Sequence, residues 1–326
     1  MKLARRDFLY FAGTAIAGMA VPTLAWTESY PSRSVRVIVP FAPGGVTDVT
    51  ARLVASKLSE QFGKQFYVEN LGGASGNIGI GQAARAAPDG ATLLCTSPAF
   101  VINPALFEKL PYAADKDFEP VTLICTTPVM LTVNPELPVR TVKDLVGLIK
   151  ANPGKYNYAS AGVGTPPHLV GELFRLSLGL DLVHVPYNSG GQAVGSAIAG
   201  HTPILFGALG SAAAQVKAGK LRALAVASKT RAHLLPDVPT MAQAGYPDVE
   251  GEVWTGILAP AGVPKEIVTL LHREIVKSLA AQDVKEKLST FGYAIVGNTP
   301  DEFGAQIKGE LAKWDKVIRQ AGIKAS

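Results

Sequence analysis

Four stretches of this sequence join glycines to hydroxyl-bearing residues in a pattern suited to holding an anion. They are Pro43-Gly44-Gly45-Val46-Thr47-Asp48, Gly72-Gly73-Ala74-Ser75-Gly76-Asn77, Ser160-Ala161-Gly162-Val163-Gly164-Thr165 and Tyr187-Asn188-Ser189-Gly190-Gly191. Glycine lets a backbone N–H come close to a ligand, and a helix beginning just after the loop adds unpaired donors with partial positive charge. One such terminus contributes only about 0.3–2 kcal/mol. Several converging termini, helped by Ser and Thr hydroxyls, can hold a carboxylate without an arginine. Taken singly, each loop reads equally well as a tight strand-to-helix turn.

Other chemistries lack their residues. No Gly-x-Ser-x-Gly elbow occurs, so a nucleophilic hydrolase has no starting point. Gly79-Ile80-Gly81-Gln82-Ala83-Ala84 fits a loose dinucleotide fingerprint, but it falls inside the helix expected after Gly76 instead of between a strand and a helix. The five histidines are scattered, with no His-x-x-x-His pair. His168 and Glu172 stand four apart on a helix without a third ligand and read as a surface i,i+4 contact. No cofactor or metal is implied, and no constellation supports an enzyme.

The elements that must position these loops alternate. Val35 to Val39 reads as a strand, and a helix with Val49, Leu53, Leu58 and Phe62 on one face follows from Thr47. The unit recurs at 157–160 into the helix after Thr165, and at 182–185 into the helix after Gly191. Ile204-Leu205-Phe206 leads to a helix near Ser211, and 221–226 forms another strand. This is an α/β pattern with largely parallel sheets, whose ligands belong in loops at the C-terminal strand ends. Two runs look like crossings between lobes: Val121 to Val133, interrupted by Thr126-Thr127-Pro128, and Trp254 to Leu258. They divide the mature chain into one lobe of 26–124 with 258–326 and another of 125–257. A chain that leaves a lobe and returns makes a cleft with a two-strand hinge. Past the second crossing the pattern is almost wholly helical; Thr299-Pro300-Asp301-Glu302 starts the last helix with a cap, a proline and an acid at the third position.

The ordered matches Pro40-Phe41-Ala42-Pro43-Gly44-Gly45 with Asp48 and Ala51-Arg52, Val68-Glu69-Asn70 and Ala87-Pro88-Asp89-Gly90 carry a resemblance. So do Tyr156-Asn157-Tyr158-Ala159-Ser160-Ala161-Gly162 with His168-Leu169, His184-Val185-Pro186-Tyr187, 217–224 and Leu235-Pro236-Asp237-Val238-Pro239-Thr240. The chain resembles, over its whole mature length, the Bug family of extracytoplasmic solute receptors, the binding proteins of tripartite tricarboxylate transporters. The resemblance implies a two-lobed Venus-flytrap fold of two mixed sheets flanked by helices. A small carboxylate would be gripped between lobes and delivered by a monomer to a large and a small membrane subunit; presentation to a membrane sensor kinase is the alternative. Carried over, Gly44, Gly45, Val46, Thr47 and Asp48 form one jaw, and Ser160, Ala161, Gly162, Thr165 and His168 the other. Ser97 adds a donor from the first lobe. Asp48 either meets the ligand or caps its own helix, and His168 either faces the cleft or packs under its loop. Phe41, Phe100, Tyr187 and Trp254 are candidates for apolar walls, with core or hinge packing the alternative. Relatives often carry an Asp-Asn pair where Gly207-Ala208 follows Phe206 here, which favours a less polar ligand such as a longer or aromatic carboxylate.

At the N-terminus, Arg5-Arg6-Asp7-Phe8-Leu9, an apolar run to Val21 and the small residues before Ala25 read as a twin-arginine signal peptide over 1–25, giving a periplasmic protein. The run falls short of the about 20 apolar residues of a membrane span. Its removal takes Lys2, Arg5 and Arg6 against Asp7, so the net charge drops from +5 to +3. That mild excess, without a basic run, excludes nucleic acid and suits anions. Cys95 and Cys125 are too few for a zinc site; pairing and two buried thiols both stay open.

Overall fold

The computed structural model describes residues 30–324, so the signal segment expected at 1–25 lies outside the described residues. The chain first forms β1 (Val35–Val39), α1 (Val46–Phe62), β2 (Phe66–Asn70), α2 (Asn77–Ala84), β3 (Thr92–Thr96) and α3 (Ala99–Leu106). Next come β4 (Phe118–Val133), α4 (Val142–Ala151), β5 (Asn157–Ser160), α5 (Pro166–Leu178) and β6 (Val183–Pro186). They are followed by α6 (Gly190–Ile198), β7 (Ile204–Ala208), α7 (Leu209–Lys217) and β8 (Arg222–Val226). Finally β9 (Glu252–Pro260) leads to α8 (Lys265–Leu279), α9 (Gln282–Thr290), β10 (Ala294–Ile295) and α10 (Pro300–Ala321).

Local chemistry explains the boundaries. The β-branched β1 is covered on both faces, as a strand paired with parallel neighbours β2 and β3 requires. Pro166 and Pro167 open α5, and Gly179 closes it in the left-handed region that a side chain would strain. Thr299 and Glu302 form a reciprocal capping box at the start of α10.

The strands run in the order β2-β1-β3-β9-β4-β7-β5-β6, with β8 and β10 also paired to β4. β1, β2 and β3 are parallel to one another, as are β5, β6 and β7, while β9 and β4 are antiparallel. β4 is therefore shared. Its first part pairs with β9 and β10, and Val129 to Val133 lies between β7 and β8. Thr126-Thr127-Pro128 does not interrupt the strand, as the composition suggested. Pro128 stays in register with Glu252, and the change of partners takes place just beyond it.

The register fixes where the loops emerge. Thr96, at the C-terminal end of β3, is level with Gly256 of β9 and thus with Leu123 of β4. Ala208, at the C-terminal end of β7, is level with Val129. β3 and β7 point toward each other along β4, their ends separated by six residues of β4, roughly 20 Å of extended chain.

Helix α10 spans both strand groups, packing on α3 and on α5. Its Glu310 accepts the indole N–H of Trp254 at 3.0 Å and of Trp314 at 3.4 Å. Trp254 is buried in that contact, and Phe100 is buried against Tyr112 and Phe118. Both are core residues, so neither serves as a cleft wall. Cys95 and Cys125 are buried free thiols on the strands flanking β9, and burial pushes the Cys125 thiol up to about 12.

Candidate functional site

The first glycine loop leaves β1 and turns at Gly44, whose φ of 87° belongs to the left-handed region. Gly45 then takes the N-cap position of α1 in extended conformation, without any side-chain cap. Gly44 and Gly45 are exposed; Val46 and Thr47 are half-buried. Asp48 is different, with a side chain only 4% exposed. Its Oδ2 accepts from Gly44 N–H at 2.9 Å and Arg52 Nε at 3.1 Å, and its Oδ1 from Asn70 Nδ2 at 2.9 Å. Burial opposes its charge, but these bonds outweigh burial and hold the carboxyl below its ordinary range. Of the two roles open in the sequence, the carboxylate is engaged in the one that shapes its own loop.

The second glycine loop adjoins the first. A Cβ at Gly76 would lie 3.3 Å from the Phe41 ring, and Asn70 Nδ2 also donates to the Phe41 carbonyl at 3.1 Å. Gly73, Ala74, Ser75 and Gly76 all have positive φ, a conformation that costs Ala and Ser energy. Asn103 holds it there, donating to the Ser75 carbonyl at 3.0 Å and to Asn77 Oδ1 at 2.7 Å. Ser97 lies between β3 and α3, half-buried, and its hydroxyl has no hydrogen-bond partner among the described residues.

On the other group, Ser160 ends β5 fully buried. Its Oγ lies 2.7 Å from His184 Nε2 and accepts from Gly162 N–H at 3.2 Å. Thr165 Oγ1 donates back to the Gly162 carbonyl at 2.8 Å, closing the turn that carries Ala161. Gly162 and Gly164 both have positive φ. A Cβ at Gly162 would sit 3.3 Å from the Tyr187 carbonyl, and one at Gly164 would sit 2.6 Å from Leu106 on α3. Gly164 thus touches an element that follows Ser97 in the first group.

His168 lies under this turn, 4% exposed, its Nδ1 accepting from Gly164 N–H at 3.1 Å. Its ring stacks on His184 at 3.8 Å. Burial, with Arg175 adding to it, pushes His168 down to about 4, and burial with the neighbouring His168 does the same for His184. Both rings are neutral at pH 7. Glu172 is not the surface partner of His168 expected from the spacing. It is buried, accepting from the Tyr158 hydroxyl at 2.7 Å and from Arg175 at 2.6 and 2.9 Å.

Tyr187 donates its N–H to the Ser160 carbonyl at 3.1 Å, while its hydroxyl turns inward to Ser196 and Thr202. The start of α6 adjoins that of α7, with a Cβ at Gly190 placed 3.5 Å from Ser211. Two clusters of loops result, one around 41–48, 72–76 and 97, the other around 160–165, 187–190 and 208–211. Backbone donors and hydroxyls dominate both, a composition suited to a small anion; Ser160, hydrogen-bonded to His184, is fully buried and braces the Gly162 turn. Sequence reading missed three organisers. Asn70 and His184 stood inside the matched stretches without an assigned role. Asn103 gave no local sign, since its partners lie 26 and 28 residues away.

Residues 50–323 match the family model described as tripartite tricarboxylate transporter family receptor, TctC. The chain belongs to this family. Protein BugT of Bordetella pertussis is 36% identical over 95% of both chains. A solved structure described as a periplasmic transporter is 44% identical, with a TM-score of 0.74 over 90% of this chain and 99% of its own. Rpa4515 of R. palustris, solved with adipate, is 33% identical with a TM-score of 0.74, covering 90% of this chain and 99% of that one. MatC of Rhodopseudomonas palustris, with bound malate, is 31% identical with a TM-score of 0.72, covering 89% and 100%. This TctC receptor has the α/β fold of periplasmic solute-binding proteins and is not an enzyme. Among the described residues, no helix is long and apolar enough to cross a membrane.

Proposed function

We propose that this TctC receptor captures a small carboxylate between two lobes, 26–124 with 258–326 and 125–257, and delivers it to the large and small membrane subunits of a tripartite tricarboxylate transporter. The observation that carries the reading is the register along β4, which aims two sets of glycine loops and helix starts at each other. The backbone of exposed Gly44 and Gly45 and of half-buried Val46 and Thr47, with the Ser97 hydroxyl, would meet the ligand from one side. Ala161, Gly162 and Thr165 would meet it from the other, with Phe41 and Tyr187 flanking the cleft. Asp48, Ser160 and His168 act beneath, shaping the loops. The adipate and malate of the two neighbours support a carboxylate as the anchored group. Gly207-Ala208 at the end of β7 leaves the second side without a polar side chain at that point, which favours a body less polar than an amino acid.

A ligand at about 100 times its dissociation constant raises stability by about 2.7 kcal/mol. A thermal-shift panel of C4 to C8 dicarboxylates, citrate, amino acids and benzene carboxylates is expected to show such a rise for an aliphatic or aromatic carboxylate. A shift with sugars or cations alone would overturn the reading. Export is proposed to follow the twin-arginine route, with the mature protein periplasmic and monomeric. Replacing Arg5-Arg6 by Lys-Lys is expected to abolish periplasmic accumulation in cell fractionation; undiminished accumulation points to the general secretory route instead.

A further inference from the structure

His168 holds the second loop through one well-defined bond. Because Nδ1 accepts the Gly164 N–H at 3.1 Å, the neutral ring carries its proton on Nε2. A second proton would fall on Nδ1, turning an acceptor into a donor that faces another donor, and the bond would be lost. His184 does not share this sensitivity. Its partner is the Ser160 hydroxyl, which can donate or accept and so tolerates either ring state.

The surroundings leave the imidazolium no compensation. The groups facing His168 are Glu172 and Arg175 from its own helix α5, Tyr158 from β5 and His184 from β6. Glu172 is already engaged by Tyr158 and Arg175. Arg175 repels a second cation, and a His184 ring 3.8 Å away would do so once charged. Gly164, meanwhile, presses against Leu106 of α3, so its position is felt on the opposite strand group.

We propose that His168 is a positioning residue, a proton-sensitive latch that keeps Gly164 and the Gly162–Thr165 turn in the ligand-holding shape only while its imidazole is neutral. The role rests on the reading of that turn as one jaw of the carboxylate site. Burial holds the ring neutral down to about pH 4, so the latch is closed at neutral pH and opens in acid.

The first measurement needs no ligand. In amide and imidazole NMR of the mature protein, the Gly164 amide is expected to move with the midpoint of the His168 ring as pH falls from about 7.5 to about 3. A Gly164 amide that stays fixed while His168 titrates would overturn the latch. The second measurement uses adipate and isothermal titration at about pH 7.5 and about pH 3.5. His168→Asn keeps an acceptor near the Nδ1 position but cannot titrate, and it also controls for protonation of adipate itself. Wild type is expected to lose about fourfold more affinity in acid than H168N, the factor set by the share of His168 rings protonated half a unit below about 4, whereas H168F is weak at both pH values. An identical pH response in wild type and H168N would sink the proposal. If adipate does not bind at neutral pH, the carboxylate that shifts the melting temperature replaces it. If none binds, the receptor reading fails, and the NMR titration still decides the latch.

Discussion

Gly44 and Gly45 are neighbours in sequence but differ in what a side chain would do. Gly44 needs a left-handed backbone, so any substitution there strains the turn itself. Gly45 has φ −73°, and a Cβ would find its nearest neighbour, the Ala42 carbonyl, at 3.9 Å. Gly45→Val therefore fits the fold while placing a branched side chain where the ligand would approach the start of α1. Carboxylate affinity by calorimetry is expected to fall at least about tenfold, equivalent to about 1.4 kcal/mol, while the free protein stays folded and loses only the about 1 kcal/mol that a poor N-cap costs. Unaltered affinity would remove Gly45 from the site. Asp48 shows the limit of reading at this scale. Its position in the first turn of α1 was visible, but the choice between ligand contact and loop bracing depended on Asn70, 22 residues away.

At the scale of elements, α5 lies on β5 through a glycine. A Cβ at Gly171 would stand 2.3 Å from the Tyr158 ring, whose hydroxyl serves Glu172. Gly171→Ala is expected to cost about 1–3 kcal/mol by overpacking, read from urea unfolding, because Tyr158 can yield only by leaving its buried carboxylate. Stability equal to wild type would show that the contact is slack. Short strands followed by a glycine turn, 35–39 and 157–160, were legible to the residue because burial and turn chemistry agree there. The capping box of α10 was legible for the same local reason. Thr126-Thr127-Pro128 misled because proline signals a strand end, whereas β4 continues through it and only changes partners. The burial of Glu172 was invisible: its spacing from His168 is local, but the hydroxyl that receives it arrives from another strand. Loops could thus be located from sequence, while the side chains that brace them could not.

Across the whole molecule, the alternation of strands and helices pointed to two groups joined by two long runs; those runs fold as strands β4 and β9, paired antiparallel with each other. The division into lobes that move belongs to the proposed function; the fold itself supplies a shared strand with loops on both sides of it. Helix α10 adds a mechanical boundary to that arrangement. It rests on α3 of one group and α5 of the other, and Glu310 anchors it to Trp254 in the connecting strand. A swing about β4 and β9 must therefore slide α10 over at least one of these supports. Under the proposed closure of the two lobes, the helix is expected to work as a strap across the joint, so that a mutation far from any ligand, on the α10 face that meets α5, changes how far the proposed jaws travel without altering what they hold.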